Sequence, residues 1–250
     1  MTPTLVTISF SHYCEKARWA LDRCGIAFDE RAHLPLFSYL ATFRASRTKT
    51  VPVLIAGTTV LTDSTEIVAW CDAQRPGTLV PDDPAQRDDA LALEDDFDRQ
   101  LGPATRRWGY AQLIAEPRVV PYLGARVPRW QALGLRIMRP LAMRTIGRGL
   151  NVTPEGVARS LVKIEDTFAR VAARLADGRR YLVGDRFTVA DLAFASLAAP
   201  VLLPEQLDVG LPPRELFGAA TTQIDAWRAT PAGAFALRLY EQERRASARP

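Results

Sequence analysis

The first eighty residues alternate between two periodicities. Residues 5–10 (LVTISF) are apolar and β-branched, the pattern of a short buried strand. Ser11 stands where a helix N-cap belongs. Cys14, Ala17, Leu21 and Cys24 then recur at spacings of three and four, so residues 12–24 read as a helix with one apolar stripe, from which Glu15, Lys16, Arg18 and Asp22 point away. Gly25 follows as the residue that can close that helix in a left-handed conformation. A second strand is expected near residues 27–32, on an edge or a half-exposed face, because Asp29, Glu30 and Arg31 fall in it. Residues 34–50 keep no clear period and read as an irregular helix and a loop. Residues 51–55, a Gly57-Thr58 turn and residues 59–61 form a β-hairpin. Asp63 then caps a helix over residues 64–73, with Glu66 completing a capping box.

The pattern changes at RPGTLVPDDPAQ (75–86), which holds three prolines and a glycine and reads as a linker between two ordered regions. Beyond it no strand pattern is found. Residues 86–114, 130–146, 155–176, 188–203 and 219–243 are helix-like, with Pro140 expected to interrupt the second of these. An α/β unit followed by an all-α unit is the fold class this order predicts.

Composition narrows the alternatives. With 48% hydrophobic and 24% charged residues in 250, the chain can bury a core and is expected to fold. Its longest uncharged apolar run, residues 192–203, falls short of the ~18–20 residues a membrane span requires. The first twelve residues lack the basic and small-residue features of a secretory signal. Three cysteines without a CxxC spacing and two histidines exclude a disulfide framework and a zinc finger, so no metal is expected and the cytoplasm is the expected compartment. The net charge of +4 is concentrated in residues 115–150, which carry seven basic residues and one acid. Only Lys16, Lys49 and Lys163 among the 32 basic residues are lysines. Drawn as a helix, residues 129–148 do not gather their arginines on one face. The expectation is therefore an ordinary solvated surface, with an anionic surface as the weaker alternative and no nucleic-acid partner.

Four segments in order, FSHYCEKARWALD (10–22), TVPVL (50–54), DSTEIVAW (63–70) and YLVGDRFTVADLAFAS (181–196), together resemble the glutathione S-transferase superfamily. The resemblance implies a thioredoxin-like glutathione-binding domain over residues 1–78, a linker at 79–85, and an all-helical electrophile-binding domain over 86–250. It also implies a homodimer, glutathione as co-substrate and a small hydrophobic electrophile. Pro52 would follow a cis peptide. The Val51 N–H and C=O would pair with the cysteinyl backbone of glutathione as an added β-bridge. Ser64, at a helix N-terminus, would take the γ-glutamyl carboxylate, and Asp63 or an acid nearby would help hold the α-ammonium. Lys49 lies one position early relative to the family's Asn-Pro-x-Gly-Lys pattern, which this chain replaces with Ala-Ser-Arg-Thr-Lys-Thr. Thr188 and Asp191 form a capping box, a folding signature without chemistry.

The family activates the glutathione thiol with a Tyr, Ser or Cys near the start of the first helix. Lowering a thiol pKa by ~2 units requires about 2.7 kcal/mol of thiolate stabilisation, within reach of one hydroxyl donor and a helix N-terminus. Ser11 stands first among the candidates by its place in the family's S/C-x-x-C/S element, followed by Cys14, with Tyr13 and His12 behind. Use of Cys14 would shift the chemistry to mixed disulfides, as in a thiol reductase or peroxidase. A non-catalytic binding or scaffold protein is the third reading.

Overall fold

The computed structural model describes residues 2–207 and 212–244. Four strands form one sheet: β1 (Thr4–Ile8), β2 (Asp29–His33), β3 (Val53–Ala56) and β4 (Thr59–Leu61), in the order β2-β1-β3-β4. β1 runs parallel to β2 and antiparallel to β3, with Val6 opposite Val53. The parallel pair requires a crossover, supplied by α1 (His12–Arg23). β2 is an edge strand and exposes Asp29, Glu30 and Arg31, as its charges predict. α2 (Phe37–Ser46) fills part of the stretch without a period, and α3 (Ser64–Gln74) follows the hairpin.

α1 ends as expected. Ile26 N–H donates to the Leu21 carbonyl and Gly25 N–H to that of Asp22, a Schellman closure with Gly25 at φ 65°. Its charged residues do not face solvent. Glu15, Lys16 and Arg18 are buried along with the Cys14–Ala17–Leu21 stripe, because α1 lies between the sheet and the helical region and ion pairs satisfy it on both sides. Lys16 is bonded to Glu94 and, at 2.6 Å, to Asp98, while Arg244 reaches back to Glu15 at 2.8 Å and Asp22 at 2.6 Å. Trp19 on the same helix stacks on Phe187 and Tyr240.

The remainder is helical: α4 (Pro84–Asp96), α5 (Gly102–Ala115), α6 (Val120–Leu123), α7 (Arg129–Gly149), α8 (Pro154–Arg174), α9 (Val189–Leu202), α10 (Ala220–Arg228) and α11 (Pro231–Leu239). A π-turn over Phe97–Leu101 joins α4 to α5. α9, the longest apolar run of the sequence, is the buried axis around which α1, α4, α5, α10 and α11 pack. Asp191 anchors its start by accepting from the N–H groups of Leu182 and Thr188, both at 2.8 Å, and from the Thr188 hydroxyl at 3.0 Å.

Two expectations about helix continuity are corrected. α7 runs through Pro140 without a break: that residue lies on the solvent side, where water can hydrate the carbonyl deprived of its partner. The helix expected over 219–243 is divided instead, since Pro231 opens α11 behind a Thr230 cap whose hydroxyl accepts from Gly233 N–H at 3.0 Å. Leu79, in the connecting segment, is buried and fixed at both ends: its N–H donates to Asp72 Oδ1 and its carbonyl accepts from Val189 N–H, each at 2.8 Å.

Candidate active site

β1 delivers the chain to a turn in which Ser11 N–H donates to the Ile8 carbonyl at 2.9 Å. Ser11 has the extended backbone of an N-cap, and its Oγ accepts from Cys14 N–H across a long 3.5 Å. A cavity of about 300 Å³ opens at this helix start. Ser11 and Tyr13 contribute to one wall, Lys49, Thr50 and Val51 to a second, and Arg106, Tyr110 and Leu113 of α5 to a third. Thr145, Ile146 and Gly149 of α7 and Pro200 of α9 close it. Most of the lining is apolar.

The sequence-derived candidates separate on this geometry. Ser11, His12, Tyr13, Lys49 and Val51 reach the cavity; Cys14, Pro52, Asp63 and Ser64 are not part of its wall. Cys14 is fully buried, and burial pushes its thiol up to about 11 against the opposing pull of Arg18 and Ser11. Such a thiol stays protonated at neutral pH. Tyr13 donates its hydroxyl to the Asp98 carbonyl at 3.0 Å, and burial raises the phenol above its ordinary value. His12 Nε2 faces the Gly102 carbonyl at 3.0 Å, so that nitrogen carries the proton; burial and Arg106 lower its pKa to about 3, which keeps the ring neutral.

The Val51–Pro52 peptide is cis. Val51 precedes β3 and lies outside the registers that pair β3 with β1 and β4, so its N–H and C=O are not used by the sheet. Asp63 caps α3 by accepting from Thr65 N–H at 2.8 Å, whereas Glu66 reaches back one residue further than a capping box does, to Thr62 N–H at 3.0 Å. Ser64 opens the first turn of α3 and is buried. Beside it, the Thr65 hydroxyl donates to Asp98 Oδ2 at 2.8 Å, which couples this helix start to Lys16 and the π-turn. Among the described residues no group of three or more His, Cys, Asp or Glu side chains is placed to hold a metal ion.

Arg106 is a charged wall residue that sequence reasoning missed. Its guanidinium carbon lies 5.7 Å from the Tyr13 ring centre, and its Nε is buried with no hydrogen-bond partner among the described residues. Arg106, Gly109, Tyr110 and Leu113 recur at helical spacing and share the face of α5 that meets the cavity, but the spacing by itself does not mark that face.

A model of the glutathione S-transferase N-terminal domain matches residues 5–79, and one of the C-terminal domain matches residues 154–229. No curated protein matches the chain. Among solved structures it is similar to the beta-etherase LigF of Sphingobium sp. strain SYK-6, at 19% identity and a TM-score of 0.62 over 95% of this chain and 99% of that one. A glutathione S-transferase from Methylobacillus flagellatus with glutathione bound superposes at 18% identity and 0.63, covering 99% and 100%. The theta-class enzyme of Xanthomonas axonopodis pv. citri, also with glutathione bound, gives 21% and 0.57, covering 94% and 97%. A thioredoxin-like sheet domain, a helical second domain and a cavity at the start of the first helix define the class of protein. The chain belongs to the glutathione S-transferase superfamily.

Proposed function

We propose that the protein is a cytoplasmic glutathione transferase in which Ser11 stabilises the thiolate of bound glutathione for attack on an apolar electrophile. The observation that carries this reading is the division between two neighbours: Ser11 lies on the cavity wall, while Cys14 is fully buried with its thiol pushed up to about 11. A hydroxyl on the wall at a helix N-terminus can donate to an anion placed there, with the helix dipole adding to the effect. Tyr13 is a poorer donor because its proton is committed to the Asp98 carbonyl. Neutral His12 likewise spends its N–H on Gly102.

Glutathione in this proposal pairs its cysteinyl backbone with Val51 and sets its γ-glutamyl carboxylate at the N-terminus of α3, near Ser64. Asp63 or an acid nearby would help hold the ammonium, and Lys49 supplies positive charge at the rim. The residues present fit such a ligand: Val51 has backbone groups outside the ladder, and the first turn of α3 has N–H groups without intrahelical acceptors. The electrophile occupies the apolar cavity. There Arg106 favours reactions in which negative charge develops on the substrate or its leaving group. The proposal includes the division at 1–78, 79–85 and 86–250, and a homodimer, both carried by family resemblance. Three free cysteines suit a reducing compartment.

Calorimetric titration with glutathione tests the proposal. Binding that weakens by about 1.5–3 kcal/mol in Ser64→Ala supports the carboxylate site, that being the worth of a hydrogen bond to a charged group. Absence of binding to the unaltered protein would favour a non-catalytic member of the family.

A further inference from the structure

The exposed apolar side chains are not scattered. Of twelve large ones among the described residues, five lie on α7 and three on α2. On α7, Trp130, Leu133, Ile137 and Leu141 recur at spacings of three and four and form one outward stripe, with Trp130 62% and Ile137 71% exposed. The opposite face, with Gln131, Leu135 and Ala142, is buried. α2 adds Tyr39, Leu40 and Phe43, and the two helices meet where Phe37 packs edge-on against Trp130.

The stretch of chain that carries this stripe has charge of one sign only. Residues 117–154 contain seven arginines and no acid. Arg118 pairs with Glu116, and Arg139 is held against the Ile114 carbonyl. Arg129 and Arg136 flank the stripe on one side, and Arg144 and Arg148 continue its line along the last turns; all four are exposed. An apolar ridge bordered by arginines is the pattern of a helix lying in a lipid interface, its ridge among the acyl chains and its guanidinium groups at the phosphates.

We propose that the α7–α2 face docks on an anionic phospholipid surface. A second copy of the chain would have to bring carboxylates of another element against these arginines, since residues 117–154 supply none. Nucleic acid fits poorly, since an apolar ridge would replace phosphate contacts along the centre of the face. No helix among the described residues is long and apolar enough to cross a membrane, so the contact is peripheral. The cavity lies between the same elements: Tyr39 of α2 and Thr145, Ile146 and Gly149 of α7 belong to its wall. A bilayer held here would present dissolved apolar electrophiles to the proposed active site. That consequence rests on the function proposed above; the docking does not.

Co-sedimentation with vesicles tests the docking without any activity measurement. Phosphatidylcholine vesicles containing about one-third phosphatidylglycerol, in about 0.1 M salt, should bring the protein down, and pure phosphatidylcholine should do so at least tenfold less well. Exposed-site variants isolate the two contributions. Ile137→Asp with Leu141→Asp, and separately Arg136→Glu with Arg144→Glu, should each weaken binding at least tenfold while leaving circular dichroism unchanged. Failure to bind anionic vesicles, or binding unaffected by both pairs, overturns the proposal. So does a dimer that Ile137→Asp dissociates, or a duplex DNA bound more tightly than the vesicles. Turnover of a water-soluble electrophile, unchanged in the Ile137→Asp/Leu141→Asp protein, separates loss of docking from loss of catalysis.

Discussion

Ser11 and Cys14 stand one helical turn apart, joined by a 3.5 Å contact from the Cys14 N–H to Ser11 Oγ, and they occupy different media. Ser11 borders the cavity; Cys14 lies on the buried stripe of α1 with Ala17 and Leu21 and has no exposed surface. Because burial holds its thiol near 11, Cys14 should react with iodoacetamide at pH 7.5 many times more slowly than a free thiol, by about 10²-fold or more from thiolate fraction alone. Cys14→Ala should keep glutathione conjugation within about threefold and cost ~1 kcal/mol in urea unfolding. Rapid alkylation of the native protein at this residue would show that the helix start opens far more than the packing indicates.

His12 should impose an acid limit on stability. Its folded pKa is lowered to about 3 by burial, while the unfolded chain takes up the proton near 6.5. The stability this contributes is complete above pH 6.5 and is lost as the pH falls toward 3. At pH 4.5 the loss is about 2–3 kcal/mol. His12→Gln can still donate to the Gly102 carbonyl but cannot titrate. Urea unfolding at pH 7 and 4.5 should therefore show a larger pH effect in the native chain than in the variant. Equal effects would mean the imidazole is not held neutral.

Lys16 joins the two domains from within. It has no exposed side-chain surface and is bonded to Glu94 and Asp98 across the interface. Lys16→Met would strand two carboxylates, and removal of one partner from a buried pair costs about 3–5 kcal/mol. Adding Glu94→Gln should recover part of that loss. A denaturation midpoint unchanged in Lys16→Met would contradict the network.

Gly102 permits the close approach of α5 to α1. A Cβ at this position would fall 2.3 Å from Tyr13 Oη and 2.7 Å from Cζ, both part of a ring held by the Asp98 carbonyl. Gly102→Ala should destabilise the protein by about 1–3 kcal/mol through overpacking. Tyr13→Leu in the same chain should remove most of that penalty, so the two changes will not add.

The α/β unit was legible because its signals are local. The Ser11 cap, the stripe of α1, Gly25 and the hairpin at Gly57 each act within a few residues, and each is where the pattern places it. The environment of α1 was not legible. Glu15 and Lys16 read as an outer face because their situation depends on Glu94, Asp98 and Arg244, which lie 78 or more residues away, while Arg18 is held nearer by, on Ser9, Glu15 and Glu30. Pro140 and Pro231 have opposite outcomes for one residue type: the first is carried on an exposed helix face, the second begins a new helix behind Thr230. Arg106 went unread because helical spacing alone does not say which face meets a cavity built largely by other segments. The arginines of residues 129–148 read as unsegregated. In the fold, four of them border a ridge that a charge count does not reveal.

The central claim, that Ser11 activates the glutathione thiol, is tested most directly by the pH–rate profile of conjugation in Ser11→Ala. Loss of one preorganised donor should lower kcat about 10²–10³-fold, with glutathione affinity changed far less. The apparent pKa of the bound thiol should rise toward its free value near ~8.5, because the lost bond favoured the anion. A Ser11→Ala enzyme with unaltered turnover and profile, beside an inactive Cys14→Ala, would contradict the claim and make a protein thiol the reacting group.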